Sequence, residues 1–159
     1  MAKNRKYHPK KRSNTLAIVI IVAVVFGGGW LIFRGGGSTE AVEIISRNGL
    51  HWHPEIRIRI HGEETVIPPN IGIGAVHAPI HTHDSDNIIH LEFSGIVGDS
   101  NLRIGEFFHI WGKEFSQTCI FDNCNGPDGT LRMLVNGEPN LEFDRYVMKD
   151  GDRIEIIYE

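Results

Sequence analysis

Histidine is the residue type with the clearest chemical potential in this sequence. Seven of the nine histidines fall within residues 51–90, and four of these form two His-x-His pairs. One pair is His51 and His53, and the other is His81 and His83. In an extended segment, side chains at i and i+2 point to the same side, about 6.6 Å apart along the chain. Each pair can therefore turn two imidazoles towards one ion, which predicts a metal site.

Five of these histidines are candidate metal ligands: His51, His53, His81, His83 and His90. His90 shares a predicted strand face with Glu92, so it could be a fourth ligand or a half-buried histidine bonded to the backbone. Asp84 or Glu92 could hold a ligand imidazole through its second ring nitrogen. The alternative is a set of solvated histidines that act at most as pH-sensitive hydrogen bonders.

Three other histidines after residue 50 are weaker candidates. His77 precedes His81 by four residues, but Pro79 excludes a helical pair, so His77 is a reserve ligand. His61 lies at a predicted hairpin turn and His109 in a predicted helix, and for both we expect structural roles.

The ligand types favour two metals. Imidazole suits copper and zinc, and Cu(II) binds more tightly than the other divalent first-row ions. Met133 and Met148 are isolated in hydrophobic segments, so we expect them in the core and not as Cu(I) ligands. The expected cofactor is Cu(II) or zinc.

Cys119 and Cys124 form the second chemically distinctive pair. Outside the cytoplasm a short-range disulfide is the default for such a pair, and it would stiffen a turn. A redox or metal role is the alternative, although a spacing of two residues would be more typical of it.

The N-terminal part predicts a membrane anchor. Residues 13–33 are 21 residues without a charge. As a helix they would span about 31 Å, close to the roughly 30 Å hydrocarbon core. A cleaved signal peptide is the rival interpretation, but the apolar run is longer than usual and no A-x-A-like site follows. We expect a retained transmembrane helix in contact with lipid, whose Gly27–Gly29 stretch could admit another membrane protein.

Charge orients this predicted anchor. Six basic residues lie in residues 1–12, and Arg34 alone follows the apolar run closely. Residues 1–12 are therefore expected to be a cytoplasmic tail, with the C-terminal part outside the cell membrane. Residues 34–48 are predicted to be a linker and residues 49–159 a His-rich domain. The chain after residue 37 holds 9 basic and all 20 acidic side chains, which disfavours nucleic acid as a partner.

The predicted domain is rich in β-structure. Residues 55–60, 88–93 and 153–158 alternate apolar and polar residues as half-buried strands do, apart from Ile88 and Ile157. Residues 102–111 have the apolar spacing of a short amphipathic helix. Leu131–Val135, then Asn136-Gly137, then Leu141–Phe143 predict a hairpin. The predicted fold class is α+β: a small, mostly antiparallel or mixed sheet with one helix.

Two resemblances refine this prediction. The string VNGE…MKDGDRIEIIY resembles the end of ubiquitin-like sulfur-carrier folds, which implies a β-grasp-like arrangement. The chain ends in Tyr158-Glu159 and not in Gly-Gly, so we expect no sulfur-carrier function. The strings HxHPEI…VIPPNIGI, PIHTHD…IIHLE and LRIGEFFHIWG resemble a family of small extracytoplasmic His-rich domains behind an anchor or signal in bacteria and archaea. This resemblance covers residues 50–159 and implies no activity.

The function expected from these features is a membrane-anchored, extracytoplasmic metal-binding module for storage, delivery or sensing. The sequence lacks the G-x-S-x-G, H-E-x-x-H and phosphate-loop motifs of familiar enzymes. A three-histidine site with an open position would instead make an enzyme. A scaffold subunit without metal is the third alternative.

Overall fold

The computed structural model describes residues 42–159, which belong to one compact unit, Ala41–Glu159. None of the helices in this described part is long and apolar enough to cross a membrane. The predicted tail 1–12 and transmembrane helix 13–33 lie outside the described residues. The predicted linker 34–48 lies partly within them, and its last residues already form a strand. The folded unit therefore begins before residue 49.

Within residues 42–159 the secondary structure is twelve strands, one α-helix and two short 3₁₀ helices. The strands are β1 Ile44–Ser46, β2 Leu50–Trp52, β3 Glu55–Ile60, β4 Glu63–Thr65, β5 Ile80–His81, β6 His90–Phe93, β7 Val97–Gly98, β8 Cys119–Ile120, β9 Asn123–Cys124, β10 Leu131–Val135, β11 Glu138–Pro139 and β12 Arg153–Tyr158. The helix is α1 Ile104–Trp111, and the 3₁₀ helices are Asp99–Leu102 and Phe143–Arg145. The expected α+β composition, mostly sheet with one helix, is confirmed.

The largest sheet has five strands in the order β11-β10-β12-β3-β4. Its two central strands, β12 and β3, are parallel, and the other neighbours are antiparallel. In β3, Ile56 and Ile58 are fully buried, whereas Arg57 and Arg59 are exposed. The alternation in the sequence therefore places one face of this sheet on the core.

Helix α1 supplies much of the aromatic part of the core. Ile104, Phe107 and Phe108 are buried, in agreement with their helical spacing. The helix ends at Gly112, which adopts φ +70° and whose N–H bonds the carbonyl oxygen of His109. A left-handed residue at this position is a common helix terminator, and glycine adopts it without strain.

The predicted hairpin after β10 is shorter than expected. Asn136 and Gly137 both have positive φ, as a two-residue hairpin turn requires. The returning strand is β11, Glu138–Pro139, and not the predicted Leu141–Phe143. Pro139 has no N–H to extend the ladder, and Phe143 instead enters a 3₁₀ turn and is buried.

A separate three-stranded sheet has the order β2-β6-β5. Its apolar side chains pack on the core, with Ile80 and Leu91 buried and Trp52 partly buried. In β6, His90 and Glu92 alternate with the buried Leu91, as the sequence predicted for that strand. The opposite face of this small sheet therefore carries the polar residues of the predicted site.

Candidate metal centre

Strand pairing assembles the candidate site on one face of the three-stranded sheet. His81 of β5 lies directly opposite His90 of β6, and His51 of β2 lies directly opposite Glu92 of β6. Directly paired residues share a face and have Cβ atoms about 4.5–5.5 Å apart. Since His90 and Glu92 are two residues apart on one strand, all four side chains lie on the same face.

The segment that carries His81 is fixed in place by hydrogen bonds of Thr82 and by close packing against Gly72. The buried Thr82 hydroxyl donates to the carbonyl oxygen of Pro68 at 2.9 Å and accepts from the N–H of Ile71 at 3.1 Å. A Cβ atom on Gly72 would lie 2.5 Å from the carbonyl oxygen of Ile80, so only glycine fits there. These contacts fix the direction of the imidazoles on either side of Thr82.

The first group of potential ligands is His81, His83, His90 and Glu92. One ligand atom from each lies within 4.8 Å of all the others. The Nε2 atoms of His81 and His83 are 3.2 Å apart. Two nitrogens bound to one tetrahedral zinc ion at 2.0–2.1 Å are about 3.3 Å apart, so this pair already has the spacing of metal ligands. A cluster that could hold a metal ion is thus present.

The hydrogen bonding of His81 turns one lone pair towards this cluster. Its Nδ1 lies 3.0 Å from the carbonyl oxygen of Ala78. A carbonyl oxygen only accepts, so Nδ1 carries the proton and the lone pair of the neutral ring is on Nε2, where it accepts a hydrogen bond from Nε2 of His83 in the metal-free site. Metal-binding histidines commonly use one ring nitrogen in this way to fix the other. His81 is 2% exposed and is oriented as a ligand requires.

His90 is the half-buried member of the group. Its Nδ1 is shielded from solvent and has no hydrogen-bond partner within residues 42–159. Burial lowers the pKa of His90 below its usual value, and the nearby His83, His53 and His81 lower it further, while Glu92 opposes them. A buried polar atom without a partner is costly, and an imidazole that stays neutral keeps its lone pair. Both features suit a metal ligand.

Glu92 is placed both to orient His51 and to act as a potential ligand of the first group. Its Oε1 is 3.0 Å from Nε2 of His51 and 4.0 Å from both His81 Nε2 and His90 Nδ1. The Glu92 side chain is 44% exposed, so it can move. A shift of roughly 0.7 Å towards His81 Nε2 would give the two atoms the spacing of ligands on one tetrahedral ion. Asp84, the other predicted orienting residue, makes no hydrogen bond or ion pair with an imidazole in the described part of the chain.

A second group consists of His51, His53 and His90. The rings of His51 and His53 are 4.6 Å apart between centroids, and those of His53 and His90 are 4.9 Å apart. The backbone N–H of His53 donates to Oδ1 of Asp150 at 2.8 Å, which ties this pair to the turn before β12. The five predicted ligands therefore divide into two groups that share His90.

The other three histidines of the described part, His61, His77 and His109, lie outside both groups. The ring of His77 is 6.0 Å from that of His81, and His77 is exposed. His61 packs edge-on against Tyr158 at 5.2 Å, and His109 is exposed in the last turn of α1.

Cys119 and Cys124 are joined by a disulfide, across the pairing of β8 with β9. Neither belongs to a group of potential metal ligands in residues 42–159.

The comparison with known proteins finds no match among protein families, curated proteins or solved structures. The resemblance to a family of extracytoplasmic His-rich domains stays a prediction.

Proposed function

We propose that this protein is a metal-binding module that holds Cu(II) or zinc through His81, His83, His90 and Glu92. One observation carries the proposal most directly: the two Nε2 atoms of His81 and His83 are 3.2 Å apart, with the other nitrogen of His81 engaged by a carbonyl. Three imidazoles and one carboxylate are a ligand set that zinc and Cu(II) both accept. Storage, delivery or sensing of the ion would each use such a site.

The cellular setting is part of the same proposal. A retained anchor at residues 13–33 would place the module outside the cell membrane, with the N-terminus in the cytoplasm. There, cytoplasmic thiols would not compete for the ion, and the disulfide between Cys119 and Cys124 is compatible with that location. Gly27–Gly29 would be the place for a membrane partner.

The finer fold assignment is also a proposal. In the five-stranded sheet, an N-terminal hairpin and a C-terminal strand meet as a parallel central pair, with a second hairpin beyond them. This order supports the β-grasp-like arrangement, to which the His-bearing three-stranded sheet is an addition built from β2 before β3 and from β5 and β6 after β4.

The test is a calorimetric titration of the full chain, purified without a His tag, with zinc and with Cu(II). We expect a stoichiometric high-affinity event that is lost when His81 and His83 are both replaced by alanine, because His81 and His83 are two of the four ligands. His61→Ala and His109→Ala are matched controls, since each removes one imidazole outside the groups. Weak binding that is equal in all variants would contradict the proposal and favour the scaffold subunit without metal.

The second candidate function is a metal-dependent enzyme, and the position of Glu92 favours it. If only the three imidazoles bind the ion, water would take the fourth position. The Glu92 carboxylate, 4.0 Å from His81 Nε2, would then be placed to accept a proton from that water. Glu92→Gln distinguishes the two functions. A binding module should lose metal affinity in this variant, whereas an enzyme should keep the ion and lose hydrolysis of an activated ester.

A further inference from the structure

The candidate centre contains more ligands than one ion uses. Five imidazoles and one carboxylate belong to its two groups, and a tetrahedral ion takes four ligands. The first group supplies those four by itself. His51 and His53 are left over, yet their rings are in contact with each other, and the ring of His53 is in contact with that of His90.

We infer that the centre binds a second metal ion through His51 and His53, with His90 as a ligand common to both ions. This inference rests on the proposed function, because it assumes that the first group binds metal. His90 lies between the groups, with ring centroids 4.6 Å from His83 and 4.9 Å from His53. An imidazole has two ring nitrogens, so one ring can serve an ion on each side.

The shared ring requires a defined proton balance. A neutral imidazole carries one N–H, so His90 binds both ions only after this proton leaves for solvent. No other bond is broken, and neither ion changes its oxidation state. The two ions would then be about 6 Å apart, from the ring width plus two metal–nitrogen bonds.

The two ions should bind in sequence. Glu92 is the one carboxylate in the groups found in residues 42–159, and it belongs to the first group. Two dications in one cluster repel each other, so the second ion should bind roughly 10-fold to 100-fold more weakly. His51, whose side chain is 60% exposed, leaves the second position open to solvent and to exchange.

The decisive experiment counts ions with the full chain, free of any His tag. Zinc titration should give two events in the wild-type protein and one, the tighter, in the variant with His51→Ala and His53→Ala. Both side chains are exposed, so this variant should fold. His77→Ala is the matched control, because it removes an exposed imidazole beside the cluster, and it should keep both events.

Two further measurements test the sharing of His90. His90→Phe keeps a ring against His81 without a nitrogen, and it should weaken both events. With Cu(II), the second equivalent should broaden the electron paramagnetic resonance signal of the first through spin–spin interaction.

The outcomes separate the two proposals. A single event in the wild-type protein, or two events unchanged by loss of His51 and His53, would overturn the second site and leave the metal-binding function standing. An effect of His90→Phe on one event alone would overturn the sharing. The absence of any event would overturn both proposals.

Discussion

His90 is the residue on which both ligand groups depend, and its chemistry follows from its strand. Its neighbour Leu91 is fully buried, so β6 packs against the core, and His90 Nδ1 is shielded from water. From the two His-x-His pairs and the strand face of His90, the sequence predicted five candidate ligands, and the structure brings all five into two neighbouring groups. It predicted Glu92 as a residue that orients an imidazole and not as a potential ligand, because its place in the first group depends on the pairing of β5 with β6, which spacing alone does not reveal.

The metal-free protein should show the lowered pKa of His90 directly. We expect its imidazole to titrate below the usual value of about 6.5, because burial and the neighbouring imidazoles disfavour its charge. His83→Ala should raise this pKa, since it removes a neighbouring charge and admits water. The folded pKa lies below the unfolded one, so folding stability falls as the pH drops through that interval. Histidine resonances followed by NMR against pH measure the shift, and a His90 midpoint above 6.5 would contradict it.

At the scale of the element, short strands of two to four residues position the site. Strand β5, Ile80–His81, is too short to give any periodicity, so the sequence predicted a His-x-His segment but no strand there. Its place is fixed by pairing with β6 and by Thr82 behind it. Long strands such as β3 and β12 were predicted well, because burial on one face imposes alternation over six residues.

Thr82 should therefore control metal affinity without touching metal. Thr82→Val keeps the shape but removes the hydroxyl that bonds Pro68 and Ile71, which should cost about 1–3 kcal/mol of folding stability. The released segment should also weaken metal binding, because His81 and His83 lose their fixed spacing. Thr82→Ser, which keeps the hydroxyl, is the matched control. Urea unfolding and calorimetry measure the two effects, and unchanged affinity in a destabilised Thr82→Val protein would contradict the positioning role.

The turn before β12 contains a network of hydrogen bonds to the buried carboxylate of Asp152, and its contribution to folding stability depends on pH. Asp152 accepts hydrogen bonds from the Tyr146 hydroxyl at 2.7 Å, Asn136 Nδ2 at 2.9 Å and the Lys149 N–H at 2.8 Å. Burial, with the bond to Asp152 and its charge, raises the pKa of Tyr146 above the usual value of about 10. The network stabilises the turn that also holds the backbone of His53 through Asp150.

Tyr146→Phe should lower folding stability by about 1–2 kcal/mol near pH 8. The raised pKa of Tyr146 means that the folded state favours the neutral phenol. The folding stability that the Tyr146 hydroxyl contributes is therefore complete below about pH 10 and is lost as the pH rises towards the pKa of Tyr146 in the folded state. The difference between wild-type and variant should therefore shrink above pH 10, where the unfolded tyrosine ionises. Urea unfolding at pH 8 and pH 11 measures it. A difference that stays constant over this range would argue against the network.

At the scale of the whole described unit, the core and the candidate metal centre lie on opposite faces of the three-stranded sheet. The buried cluster joins the five-stranded sheet to α1 through residues such as Ile56, Phe107 and Ile156. The three-stranded sheet packs on this core with its apolar face and carries the imidazoles on the other. Sequence patterns predicted the strands and helix of this core. They did not predict the order of strands, because pairings such as β12 with β3 join residues about 100 positions apart.

The metal-free protein should therefore be folded, and metal should add stability to it. An ion that binds the folded state and not the unfolded one stabilises by about 2.7 kcal/mol at 100 times its Kd, which raises the Tm of such a domain by about 10 °C. We expect a cooperative melt with chelator present and this upward shift with zinc. The variant with His81→Ala and His83→Ala should melt cooperatively but show no such shift, whereas His61→Ala should shift like the wild-type protein. A sheet and helix that are held together by apolar burial do not need the ion to fold. Loss of the cooperative melt in chelator would therefore contradict this prediction and would mean that the ion is required for the stability of the core.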